Sequence, residues 1–216
     1  KHKLSYKIVK NMGKQKTPFA LVLGIDCETT GIAFGCDDPS YDPKTGHAFQ
    51  AVSWGLVVAT ADTFKVVEEL YVEVQWDGVS KWEAAAERVH GLTKEYLAEN
   101  GKTPEEAVEL IANLILDYWG PEGTVCLLGH NVATFDKFFL QRTLREFGLE
   151  VKFGSRCIDT FSIGVSTFGT QNSDELFEAV GLPERDPNKH NALVDARNAV
   201  DSARIIKTIF NSAIGG

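Results

Sequence analysis

No apolar run in the chain approaches membrane-spanning length, and the lysine-rich start lacks the apolar stretch of a secretory signal. The expectation is an intracellular, cytoplasmic protein with no membrane partner. Cys-x-x-Cys pairs are missing too. The 4 cysteines, Cys27, Cys36, Cys126 and Cys157, are scattered, and three of them fall in apolar, strand-like runs. That excludes the usual zinc spacings and a disulfide framework, and leaves buried reduced thiols. Positive charge is also short: the formal net charge is −8, which argues against a protein that coats duplex DNA through a broad basic surface. The exception is the start. Lys1, Lys3, Lys7, Lys10, Lys14 and Lys16 stand in a segment without one acid. Such an arm could hold phosphates by point-charge attraction, but is more often a solvated terminus. Internal repeats and dividing linkers are absent as well. With 216 residues, 44% of them hydrophobic, the expectation is a basic arm over 1–19 followed by one domain over 20–216.

What is there begins with Leu21 to Gly31, Leu-Val-Leu-Gly-Ile-Asp-Cys-Glu-Thr-Thr-Gly. The apolar run ended by Thr-Thr-Gly predicts a buried central strand. Side chains alternate along a strand, so Asp26 and Glu28 share a face, roughly 7 Å apart at the backbone. Two neighbouring buried carboxylates raise each other's pKa and are costly without a partner. A divalent cation removes both problems, and hard oxygen ligands suit magnesium or manganese. A strand end where both groups simply reach water is the plainer alternative, and for an isolated Asp-x-Glu the commoner one.

Further along, Ile32 to Gln50 reads as a long loop, rich in Gly, Asp and Pro, of the length that often forms a lid or binding element. Ala51 to Thr60 and Lys65 to Gln75 read as two strands of a meander with the first. Trp82 to Ala98 is helical or turn-rich and encloses His90-Gly-Leu-Thr. Thr103-Pro104-Glu105-Glu106 opens a helix running to about Trp119. Thr124 to Leu128 is a short buried strand, Ala133 to Phe147 a helix with Asp136 near its start, and Arg156 to Thr160 a last short strand. Ser173 to Val180 is a short helix, Gly181 to Lys189 a polar loop, and Asn191 to about Phe210 a long closing helix with alanines at helical spacing. The fold class is α/β: a mixed five-stranded sheet flanked by helices.

Three stretches belong together: Asp26-Cys-Glu28-Thr, Gly129-His-Asn-Val-Ala-Thr-Phe-Asp136, and His190-Asn-Ala-Leu-Val-Asp195. In this series the chain resembles the DEDD superfamily of 3′-to-5′ exonucleases, with its DnaQ-like, ribonuclease H-like fold. The matches run in family order from Leu21 to about Ala203. Histidine stands five residues before the final aspartate and Asn191 four before it, so the resemblance is to the histidine branch. It implies two divalent ions, Mg2+ or Mn2+. Asp26 would bridge both, Glu28 and Asp195 would complete the nucleophile side, and Asp136 would hold the second ion. The chemistry agrees, because opening a phosphodiester requires neutralising developing charge, activating water and stabilising a leaving oxygen, which two ions about 3.5 to 4 Å apart do together. His190 is then the proposed general base. If His190 and Asp195 shared one helix they would lie roughly 140° apart around its axis, so His190 is expected on the preceding loop.

The resemblance also places Thr29 beside the terminal nucleotide, Leu92 against a base and Asn131 near the terminal sugar, and makes Asp159 a structural residue. Departures from the family are Cys27 between the first acids, where a bulky apolar residue is more usual, and the long 32–50 insertion. The implied partner is a single-stranded nucleic acid 3′ end, DNA ahead of RNA. The oligoribonuclease and ribonuclease T types share the same five residues, so the set itself does not choose. A scaffold domain tethering a polymerase is the rival from another class, and the intact set of four acids plus histidine speaks against it.

Overall fold

A computed structural model describes residues 20–32, 48–186 and 189–214. The lysine-rich arm and residues 33–47 of the 32–50 insertion lie outside these, as do residues 187 and 188 of the polar loop.

Five strands form one sheet in the order β3-β2-β1-β4-β5. They are β1 (Leu21–Thr29), β2 (Ala51–Thr60), β3 (Val66–Glu73), β4 (Thr124–Gly129) and β5 (Lys152–Asp159). The first three are an antiparallel meander, while β4 and β5 run parallel to β1. The helices are α1 (Ala84–His90), α2 (Lys94–Asn100), α3 (Pro104–Trp119), α4 (Asp136–Glu146), α5 (Thr160–Phe168), α6 (Ser173–Ala179) and α7 (Ala192–Ile214). The mixed sheet flanked by helices is the expected one. Among the described residues, no helix is long and apolar enough to cross a membrane.

Alternation along β1 divides the core in two. Leu23, Ile25 and Cys27 face a large cluster with Trp54, Leu56, Ile111, Ile115, Phe139 and Leu140, drawn from β2, α3 and α4. Val22 faces the other way, into a cluster of Val57, Ala59, Leu128, Ala196, Ala199, Val200 and Ala203 under α7. Asp26 and Glu28 follow Val22 and Gly24 by the period of two, so both belong to the α7 side.

Local signals explain the element ends. Thr103 accepts from the Glu106 N–H while the Glu106 side chain accepts from the Thr103 N–H, closing a capping box at α3, with Pro104 at its first position. At the far end of α3, Gly120 has φ 67°, a conformation costly for other residues.

The structure also departs from the sequence reading. The segment Thr160–Phe168, which carries no helical expectation, is α5. Its run Thr-Phe-Ser-Ile-Gly-Val-Ser-Thr-Phe is rich in weak helix formers. A cap starts it: the Asp159 side chain accepts from the Phe161 N–H at 3.0 Å. Likewise α4 begins at Asp136 rather than Ala133, and β5 begins at Lys152 rather than Arg156.

Candidate active site

The register of β1 sets two acids against a thin part of the sheet. Asp26 lies opposite Gly55 and Glu28 opposite Ser53. Gly55 matters because a Cβ there would stand 2.1 Å from the Ala192 carbonyl oxygen, and a Cβ on Gly24 would stand 2.5 Å from Val200 Cγ2. Two missing side chains therefore let α7 lie almost on the sheet backbone, which brings its first turn to the acids. Bulk at either position would lift the helix and with it Asp195.

The start of α7 is itself specified by sequence. The Asn191 side-chain oxygen accepts from the Leu193 and Val194 N–H groups, both at 3.1 Å, which is N-cap geometry. Asp195 follows in the first turn, its N–H donating to the Asn191 carbonyl at 3.0 Å. His190 precedes the cap, outside the helix, and its N–H donates to the Val89 carbonyl at 3.1 Å. The loop placement expected from the spacing is what the structure shows. His190 Nδ1 then lies 3.8 Å from Asp195 Oδ2. One potential ligand atom from each of Glu28, His190 and Asp195 falls within 4.8 Å of the other two.

Asp136 enters from the other direction, at the first position of α4, where the helix dipole favours an acid. Its Oδ1 accepts from the Cys27 N–H at 2.9 Å, fastening α4 to β1 between the two strand acids. Asp26, Cys27, His130, Asn131, Thr134, Phe135 and Asp136 line a cleft of about 400 Å³.

Electrostatics make this cluster unusual. Glu28, Asp136 and Asp195 are 8%, 3% and 6% exposed. Burial, followed by the charges of Asp136, Glu28 and Asp195, holds the Asp26 carboxyl well above its ordinary range. Glu28 is pushed up to about 8, first by burial and then by Asp195, with Arg185 opposing. Asp136 is pushed up to about 7 by burial, against the pull of its hydrogen bond from Cys27. Carboxylates driven toward the protonated state by one another and by burial are groups that a nearby cation would return to the charged form. The oxygen-rich donor set of Asp26, Glu28, Asp136 and Asp195 fits a hard divalent ion.

Other residues singled out by sequence are placed more loosely. Asn131 lines the cleft and adopts φ 58°, a strained value outside glycine that functional turns often hold. Asp159 explains that turn: its Oδ1 accepts from the Asn131 N–H at 3.2 Å while it caps α5, which is a structural task. Thr29 is buried and its hydroxyl donates to the Gly31 carbonyl at 2.7 Å. Leu92 donates its N–H to His90 Nδ1 at 3.0 Å, and His90 is buried against Trp82. Neither Thr29 nor Leu92 lines the cleft.

Acids from β1, α4 and α7 thus gather near one end of the sheet, Asp26 and Asp136 lining the cleft and Glu28 and Asp195 lying beside His190, and the RNase T exonuclease family matches residues 23–202. The chain belongs to this exonuclease family. No curated protein matches it. Among solved structures, the chain resembles E. coli exonuclease I in a zinc-bound complex with single-stranded DNA, at TM-score 0.66 and 16% identity, over 88% of this chain and 41% of that one. E. coli exonuclease I with a dT13 oligonucleotide gives TM-score 0.67 and 14% identity over the same shares. The chain thus spans about two fifths of the length of these neighbours, and at such identity the likeness is one of fold.

Two features of the site had no part in the sequence reading. Gly55 is invisible as a site residue until the register places it under α7. Arg185, on the loop before His190, puts Nη1 2.6 Å from Asp195 Oδ1. An excess of acids over cations in the three motifs was the signal that could have found it.

Proposed function

We propose that the chain is a divalent-cation-dependent 3′-to-5′ exonuclease that removes nucleoside 5′-monophosphates from single-stranded ends, DNA in preference to RNA. The observation that carries this is the meeting of Asp26, Glu28, Asp136, Asp195 and His190 from four separate segments at one end of β1. The four acids would hold two magnesium or manganese ions, which when bound supply charge neutralisation at the phosphate and activation of water. Asp26, between Glu28 on its own strand and Asp136 on α4, suits the shared position. His190 suits the proton acceptor: it stands outside α7, tied at its backbone to α1, with Asp195 facing its ring. A water between it and a phosphate in the cleft would give up its proton to the imidazole as the oxygen attacks. The 400 Å³ cleft fits one terminal nucleotide better than a duplex, and Asn131 stands on its rim. Exonuclease I, the fold neighbour, is described with bound single-stranded oligonucleotides, which supports the choice of a single strand.

The test is a time course on matched 5′-labelled and 3′-labelled DNA and RNA oligomers, with magnesium and with chelator. We expect 5′-labelled DNA to shorten stepwise, the 3′ label to leave at once as a mononucleotide, and chelator to stop both. Digestion from the 5′ end, or full activity in chelator, would overturn the reading, and faster RNA digestion would reassign the substrate. His190→Ala should lose roughly 10² to 10⁴ in rate while still binding manganese, since the carboxylates remain. A large loss of manganese affinity would make the histidine a ligand.

A further inference from the structure

Arg185 is unlike the other arginines of the chain in being nearly closed off from water, its side chain only 9% exposed. Its seat is built by α6. Nε donates to Asp174 Oδ1 at 2.7 Å, Nη2 donates to Ser173 Oγ at 2.9 Å, and the guanidinium lies over the Phe177 ring at 5.1 Å. That leaves Nη1, which reaches into the acid cluster to within 2.6 Å of Asp195 Oδ1. Both partners are nearly closed off from water, so the contact is a close ion pair that solvent screens little. With all three nitrogens engaged by protein, the group has no free edge for a substrate phosphate. It also never loses its proton, so its charge is permanent.

We propose that Arg185 is a resident countercation: it neutralises Asp195 while no divalent ion is bound, and cation loading works against this ion pair. The inference rests on the reading of the four acids as cation ligands. Its physical basis is that buried like charges need a counter-charge to fold together, and a permanent one nearby both supplies that and repels an incoming dication. Because Arg185 is anchored to α6, the same pair also links α6 to the first turn of α7.

Two measurements test it, neither requiring turnover: calorimetric titration of manganese, and thermal unfolding in chelator and in saturating manganese. For Arg185→Gln we expect manganese affinity to rise on the order of tenfold, melting in chelator to fall, and the gap to the parent to narrow once manganese is bound. Arg185→Lys, keeping the charge, should stay nearer the parent. Asp174→Asn, at a carboxylate 62% exposed on α6, removes the competing acid and leaves Arg185 to the cluster, so manganese affinity should fall several-fold even if Arg185→Gln does not fold. Unchanged or weaker affinity in Arg185→Gln, or unchanged affinity in Asp174→Asn, would overturn the proposal while the parent still binds manganese. A parent that takes up no manganese would overturn both this inference and the functional reading beneath it.

Discussion

One face of the sheet is packed with bulk, and the other carries glycines and alanines where α7 crosses it. Toward α3 and α4 the strands present Trp54, Leu56, Leu23 and Ile25 against Ile111, Ile115, Phe139 and Leu140, all essentially without exposure. Toward α7 they present Gly24 and Gly55, and the helix answers with Ala192, Ala196, Ala199 and Ala203. Large side chains bury more apolar area per residue, so the first face is the main source of stability. Small ones let backbones approach, so the second face gives up area in order to put the first turn of α7 beside β1. The acids stand on that second face. Stability and chemistry are thus assigned to opposite sides of the same strand, and the assignment can be broken from either side.

The largest effect should come from Asp26. Asp26→Ala is expected to cut turnover by on the order of 10³-fold or more, since it removes the carboxylate shared by the whole cluster. Melting in chelator should stay level or rise, because one of the mutually repelling carboxylates is gone. A steep loss of stability would mean that the acid face also holds the fold.

Next come paired substitutions on the two faces. Gly55→Val forces a side chain into the Ala192 carbonyl and should displace α7, costing about 1 to 3 kcal/mol and, beyond that, most of the activity of the molecules that remain folded. Ile111→Ala should cost a similar or larger 2 to 5 kcal/mol by opening a cavity under α3, yet leave specific activity near the parent's. Denaturant melts with activity measured per folded molecule compare them. Equal specific activity in both variants would dissolve the distinction between the faces.

A third, smaller effect is the pH dependence of the metal-free protein. Glu28 and Asp136 hold protons in the folded state up to about 8 and about 7, whereas unfolded carboxylates release them near 4. The folded state then binds more protons than the unfolded one across that window, so stability falls as pH rises from about 4 to about 8. Glu69, Glu106 and Glu122 are shifted downward by their hydrogen bonds and act in the opposite sense below about pH 5, and His90 and His130, shifted downward by burial, do so below about pH 6.5. Melts in chelator should therefore drop between about pH 6.5 and about pH 8.5, and magnesium should flatten the slope. A profile that rises over this range would show the acids to be charged without a cation.

This division of the sheet was half legible in the sequence. The buried strand around Asp26, the shared face of Asp26 and Glu28, and the position of His190 outside α7 all follow from local periodicity, which acts over a few residues. Gly55 and Arg185 do not, because one depends on the β1–β2 register and the other on α6 meeting α7. The missed helix α5 has the same explanation. Its own residues argue weakly for a helix, and the Asp159 carboxylate that caps it is also fixed by Asn131 on a distant turn.

The smallest expected effect sharpens the comparison from the stable side. Thr103 closes the capping box of α3, whose inner face supplies Val108, Ile111 and Ile115 to the bulky cluster. Thr103→Ala leaves helix N–H groups without their acceptor and should cost about 1 kcal/mol, or roughly 2 to 4 °C in melting temperature. The cap is exposed and reaches α7 only through the sheet, so turnover per folded molecule and manganese affinity should not change. Turnover falling by more than the folded fraction accounts for would mean that α3 transmits its position through β1 to the acids, and that the two faces are one mechanical unit.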